Sequence, residues 1–186
     1  MTGSEFLFWS AVVSLLLGFL PLHEIARRLL PDFGLKRKIG LAAVDLGKTA
    51  IFMAVVRYWW TTEIPSQLGL MVEWQQVSME WFLALLFMLG YVLSPFFKTV
   101  EGKGLWVFAG LLLLLSKVSG FIFFIFYFLL LREKCSYAKV VLGALLASMI
   151  GLFTTASFGF YLLNAGGMVF LFLFSHDREL GELLEQ

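Results

Sequence analysis

The chain is poor in most of what soluble domains and secreted scaffolds are built from. Of its 186 residues one is cysteine, two are histidine and four are proline, and only 15% are charged. A lone thiol, Cys135, makes no disulfide framework and no metal-ligand cluster, so neither redox chemistry nor a cofactor is expected. Fourteen Lys and Arg against thirteen Asp and Glu leave a net charge of only +1, and nucleic acid is not expected as a partner. There is no Gly-x-Ser-x-Gly elbow, no nucleotide P-loop and no metal-binding histidine pair. The basic n-region of a cleavable signal peptide is also missing. The first apolar run follows Met1-Thr2-Gly3-Ser4-Glu5 and is expected to be retained.

What is abundant is apolar. Hydrophobic residues make up 60% of the chain, phenylalanine alone occurs 21 times, and the mean hydropathy is +0.89, far beyond a soluble domain. The sequence reads as an all-α integral membrane protein, with residues 1–186 forming a single transmembrane domain. Continuous runs such as Leu111 to Leu115 and Phe121 to Leu131 exclude the alternation of a β-barrel. Spans are expected near 6–22, 41–59, 80–97, 105–117, 118–131, 138–153 and 158–174. Residues 105–131 allow one overlong helix or two short ones. Ser116-Lys117-Val118-Ser119-Gly120 interrupts the run with a charge and turn-prone residues, which favours two.

Positive charge stays on the cytoplasmic side of short loops. About seven transmembrane helices, with the N-terminus outside and the C-terminus cytoplasmic, put Arg27, Arg28, Lys36, Arg37, Lys38, Lys98, Lys103, Arg132, Lys134, Lys139 and Arg178 inside. Arg57 and Lys117 fall near the outer face. Six spans would send Arg132, Lys134 and Lys139 outside. Trp59, Trp60 and Trp81 flank the acidic segment from Thr61 to Met79 as headgroup-level anchors. Leu180, Leu183 and Leu184 suggest a short helix lying on the inner surface.

Three features carry candidate chemistry at the cytoplasmic level. Glu101-Gly102-Lys103-Gly104, between two apolar runs, can turn backbone N–H groups inward beside an ammonium, as an anion nest does, although such a lysine can also simply enforce topology. Asp45 and Lys48 stand one helical turn apart inside a span and are expected to pair, as a structural ion pair or as part of a site. His176 follows the last apolar residue almost directly and is placed to act as a base or to face headgroups. Together they suit a small phosphate-bearing ligand with an acyl chain.

The order of these features resembles the bacterial acyl-phosphate-dependent glycerol-3-phosphate acyltransferases, small seven-span proteins of phospholipid synthesis. Gly18-Phe19-Leu20-Pro21 is similar to that family's Gly-Ser-Ile-Pro, and Val44-Asp45-Leu46-Gly47-Lys48 to its Asp-Val-Leu-Lys-Gly. Gly90 to Gly104, with Pro95-Phe96-Phe97-Lys98 and Gly102-Lys103-Gly104, resembles its Gly-His-x-Phe-Pro stretch and Gly-Gly-Lys-Gly loop. His176 falls where the family has His-x-x-Asn. The resemblance implies the bacterial inner membrane, membrane lipids with acyl phosphate or a lysophospholipid as partners, phosphate binding by Gly102, Lys103, Gly104 and Lys48, and an orienting or activating role for His176.

The departures point elsewhere. The family's Ser-Gly-Asn-x-Gly-Ala-Thr-Asn loop is missing between Gly34 and Leu35. Tyr91 replaces a histidine, Val100 a lysine, Glu101 a glycine and Glu179 the asparagine. Three readings follow: an acyltransferase with glycerol 3-phosphate or an altered acceptor, an inactive relative that binds lipid or assembles with a membrane protein, and a small transporter built on Asp45 and Lys48.

Overall fold

The computed structural model describes residues 3–30, 35–63, 73–94, 104–133, 136–155 and 160–175. These form eight helices and no strands: α1 (Gly3–Phe19), α2 (Leu22–Leu29), α3 (Leu35–Glu63), α4 (Glu73–Leu93), α5 (Leu105–Leu115), α6 (Lys117–Arg132), α7 (Tyr137–Thr155) and α8 (Phe160–Ser175). The expectation of an all-α chain holds. Two stretches, Glu5–Leu29 and Arg37–Trp59, are long and apolar enough to cross a bilayer.

Two breaks in the helices have local causes. Pro21 has no N–H to give and keeps Leu20 out of helical geometry, so the first apolar run divides into α1 and a short α2. Leu22 N–H folds back onto the Leu20 carbonyl at 2.9 Å, and Ile25 N–H opens α2 on the Pro21 carbonyl at 3.0 Å. Ser116 makes the second break. Its backbone is extended, its N–H closes α5 on the Leu112 carbonyl at 2.7 Å, and its Oγ lies 3.4 Å from Ser119 N and 2.9 Å from Ser119 Oγ, capping α6. The run from 105 to 131 is therefore two helices. Any side chain on Gly120 would run into the Leu113 backbone, so α5 and α6 pack back to back. At 11 residues α5 rises only about 16 Å, short of the roughly 30 Å of a hydrocarbon core.

In the packing, α4 lies between α1 and α8, α5 bridges α3 and α6, α2 rests on α3, and α7 packs on α6. Stacked rings fill the centre: Phe52 on Phe87 at 4.2 Å, Phe108 on Phe172 at 4.4 Å, and Phe123 edge-on to Phe108 at 6.0 Å. Glycines set the closest approach. A methyl group at Gly18 would overlap the Phe87 carbonyl and one at Gly90 the Leu15 carbonyl, so α1 and α4 meet backbone to backbone. Apolar side chains lie on the outside as well as in the core, and a minority of polar ones lie inside. Phe8, Trp9, Ile51, Phe121, Ile125 and Phe170 are each more than half exposed, while Ser10, Ser14, Asp45, Lys48, Thr49 and Ser148 are buried.

Candidate functional site

The end of α1 creates the site. Because Leu22 N–H turns back to Leu20, the Gly18 carbonyl loses its next helical donor, and the last carbonyls of a helix carry its negative pole. Lys48, from the middle of α3, supplies the missing protons. Its Nζ donates to the Gly18 carbonyl at 2.7 Å and to the Leu20 carbonyl at 2.8 Å. The same ammonium stands 5.4 Å from the Phe87 ring centre and 5.1 Å from that of Tyr91, inside cation–π range of both. Lys48 is thus a brace between α1, α3 and α4.

One turn earlier on α3, Asp45 holds α2. Its Oδ2 lies 3.0 Å from His23 Nδ1, and both side chains are almost wholly buried, at 2% and 3% exposure. A carboxylate can only accept, so Nδ1 carries the proton and donates. Next to His23, Glu24 accepts from Arg27 Nε at 2.8 Å, Arg27 Nη2 at 3.0 Å and Arg28 Nε at 3.1 Å, which ties the charges of α2 to one another. Among the described residues the far ring nitrogen of His23, Nε2, and the second carboxylate oxygen of Asp45, Oδ1, are buried with no hydrogen-bond partner.

The direct ion pair expected between Asp45 and Lys48 does not form. Spacing along α3 brings them to one face, but each finds a better partner on another helix. The ammonium gains two carbonyls at a negative helix end, and the carboxylate gains an imidazole N–H. Asp45 still acts through space on Lys48 and on the Tyr91 hydroxyl, so these three residues form one electrostatic cluster.

Gly104 closes the cluster from the side of α5. Its φ of +80° is left-handed, its carbonyl accepts Phe108 N–H at 2.8 Å to start α5, and a side chain there would lie 3.0 Å from the Tyr91 ring. Glycine is needed at this position for both reasons. Residues from three of the segments singled out above therefore converge on one spot: Gly18, Asp45 with Lys48, and Tyr91 with Gly104. Gly102, Lys103 and His176 lie outside the described residues.

Sequence reasoning missed His23. A helix of eight residues is too short for periodicity to reveal its inner face. The available signal was a histidine just past a helix-breaking proline, in a chain with a single aspartate inside an apolar run. At the other end of α3, Arg57 repeats the bracing device. It donates to the Leu114 carbonyl at 2.7 Å, at the end of α5, and pairs with the nearly buried Glu80 at 3.3 Å.

In comparison with known families, the model described as glycerol-3-phosphate acyltransferase matches residues 26–186, a stretch that begins just after His23. No curated protein and no solved structure matches the chain.

Proposed function

The chain belongs to the glycerol-3-phosphate acyltransferase family, and from that premise we propose that it is a divergent, multi-pass member of the bacterial inner membrane that holds lipid on the family scaffold without acylating glycerol 3-phosphate. One observation supports this above the others: Lys48, the cation nearest the converged motifs, has its ammonium bound to the Gly18 and Leu20 carbonyls and lies over two aromatic rings. It is occupied as a structural brace and offers little to a phosphate. Sequence departures agree. Without the Ser/Gly/Asn/Thr loop several donors to developing charge are gone, and losing one preorganised donor of that type costs about 10² to 10³ in rate. Glu101 stands two residues before Lys103 in the sequence, and its carboxylate offsets that charge and repels a nearby phosphate by about 1 kcal/mol or more.

The test is direct. Purified protein is expected to transfer no acyl group from acyl phosphate to glycerol 3-phosphate above an empty-membrane control. Turnover abolished by Lys103→Ala or His176→Ala would establish an enzyme with a rebuilt site.

The proposal includes seven spans with the N-terminus outside, which puts Cys135 on the cytoplasmic face among Arg132, Lys134 and Lys139. As the only thiol, it reports topology without mutagenesis. A membrane-impermeant maleimide is expected to label it only after permeabilisation. Labelling in intact cells would require an even number of spans before it or an inverted chain.

A further inference from the structure

We propose that the His23–Asp45 pair is a recognition site for an uncharged, hydroxyl-bearing lipid headgroup of the glycerol type. This inference takes from the proposed function only that the chain handles lipid in a bilayer, and it does not depend on the absence of turnover.

The unpaired atoms define the ligand chemistry. With His23 Nδ1 directed at Asp45 Oδ2, the ring presents its far nitrogen Nε2, and the carboxylate presents Oδ1 as an acceptor. These two atoms sit buried without hydrogen-bond partners among the described residues, on side chains at 3% and 2% exposure, and Oδ1 can only be matched by a donor. Buried polar atoms of this kind are normally matched, so the group that belongs here brings donors. Hydroxyls supply them. A phosphate at neutral pH supplies almost none, and it would also meet the Asp45 carboxylate at close range. Lys48, one turn from Asp45, is turned away from such a ligand, because its ammonium donates to Gly18 and Leu20. An ammonium headgroup would bring donors too, but Lys48 stands within electrostatic range of Asp45 and would repel it.

The surroundings suit the remainder of a lipid. The site lies at the α1–α2 turn, and Phe19, Leu20, Ile25 and Leu29 on either side of it are exposed apolar side chains against which an acyl chain can lie. His23 is also the feature that separates this chain from what the family resemblance supplies, since no motif of that resemblance contains it.

Native mass spectrometry of the full chain in detergent, titrated with monooleoylglycerol and with oleoyl lysophosphatidate, tests the proposal. The two probes share the acyl chain and differ by one phosphate. The wild type is expected to retain monooleoylglycerol at least about tenfold more tightly than the lysophosphatidate. His23→Leu is expected to weaken monooleoylglycerol by about tenfold, as befits the loss of a hydrogen bond to a buried polar group, and to leave retention of bulk phospholipid unchanged. Asp45→Asn keeps the shape, removes the charge and is expected to shift the preference about tenfold toward the lysophosphatidate. This second variant decides the matter if His23→Leu fails to fold. Equal retention of both probes by the wild type, or an Asp45→Asn variant with the wild-type preference, would overturn the proposal. Oleoyl phosphatidylethanolamine outcompeting monooleoylglycerol would do so as well, in favour of an ammonium site. Transfer to glycerol 3-phosphate, in contrast, would overturn the proposed function and leave this site standing.

Discussion

Lys48→Met is expected to lower stability by about 3 to 5 kcal/mol, read as a shift in the denaturant midpoint on SDS titration in mixed micelles. The substitution keeps most of the volume and the contact with the Phe87 and Tyr91 rings, so the loss reports the charge and its hydrogen bonds. Two carbonyls at the end of α1 lose their donor in a place that water does not readily reach, and Asp45 loses the cation that offsets it. Lys117→Met is the control, because Lys117 is exposed and the same change there is expected to cost less than about 1 kcal/mol. Equal midpoints for the two variants would show that the brace contributes nothing. A double-mutant cycle locates the partner of Asp45. Coupling between His23→Ala and Asp45→Ala is expected at about 1 to 3 kcal/mol, and it should exceed the coupling between Asp45→Ala and Lys48→Met, because only the first pair is in contact.

Gly18→Leu and Gly90→Leu are each expected to cost about 3 kcal/mol and to disturb the site even though neither residue has a side chain to lose. At both positions the first atom of a side chain would occupy the space of a carbonyl on the facing helix, Phe87 for Gly18 and Leu15 for Gly90. Backbone cannot rotate aside as a flexible side chain can, so α1 and α4 must separate. Their separation pulls the Gly18 carbonyl and the Phe87 ring apart, and those are two of the groups that hold Lys48. Gly166→Ala is the internal standard, since nothing lies within 4 Å of where its side chain would begin. Comparable losses at Gly166 and Gly18 would mean that the α1–α4 contact is not specific.

Most of what the sequence determined by itself is periodic or compositional. Continuous apolar runs exclude strands and specify helices, and the helices over 41–59, 138–153 and 158–174 were legible because a long run of one character survives any local detail. The break at Ser116 was legible too, since a serine that can cap, followed by Lys117 and Gly120, is a local signal that needs no distant partner. Pro21 gave as strong a local signal, but α2 went unnoticed because eight residues do not establish a face. The sequence placed Asp45, Lys48, Lys103 and His176 at one level; Lys103 and His176 lie outside the described residues, and that Gly18, Tyr91 and Gly104 gather around Lys48 is seen only in the fold. Spacing on a helix puts Asp45 and Lys48 side by side, and on that ground alone they should pair. Only the fold brings the broken end of α1 to Lys48 and His23 to Asp45, and those partners win because an ammonium with two carbonyls and a carboxylate with an imidazole N–H satisfy more buried hydrogen bonds than one intrahelical ion pair. The sequence selects which charges enter the apolar interior, and the packing of α1, α2 and α4 around α3 decides what each of them holds.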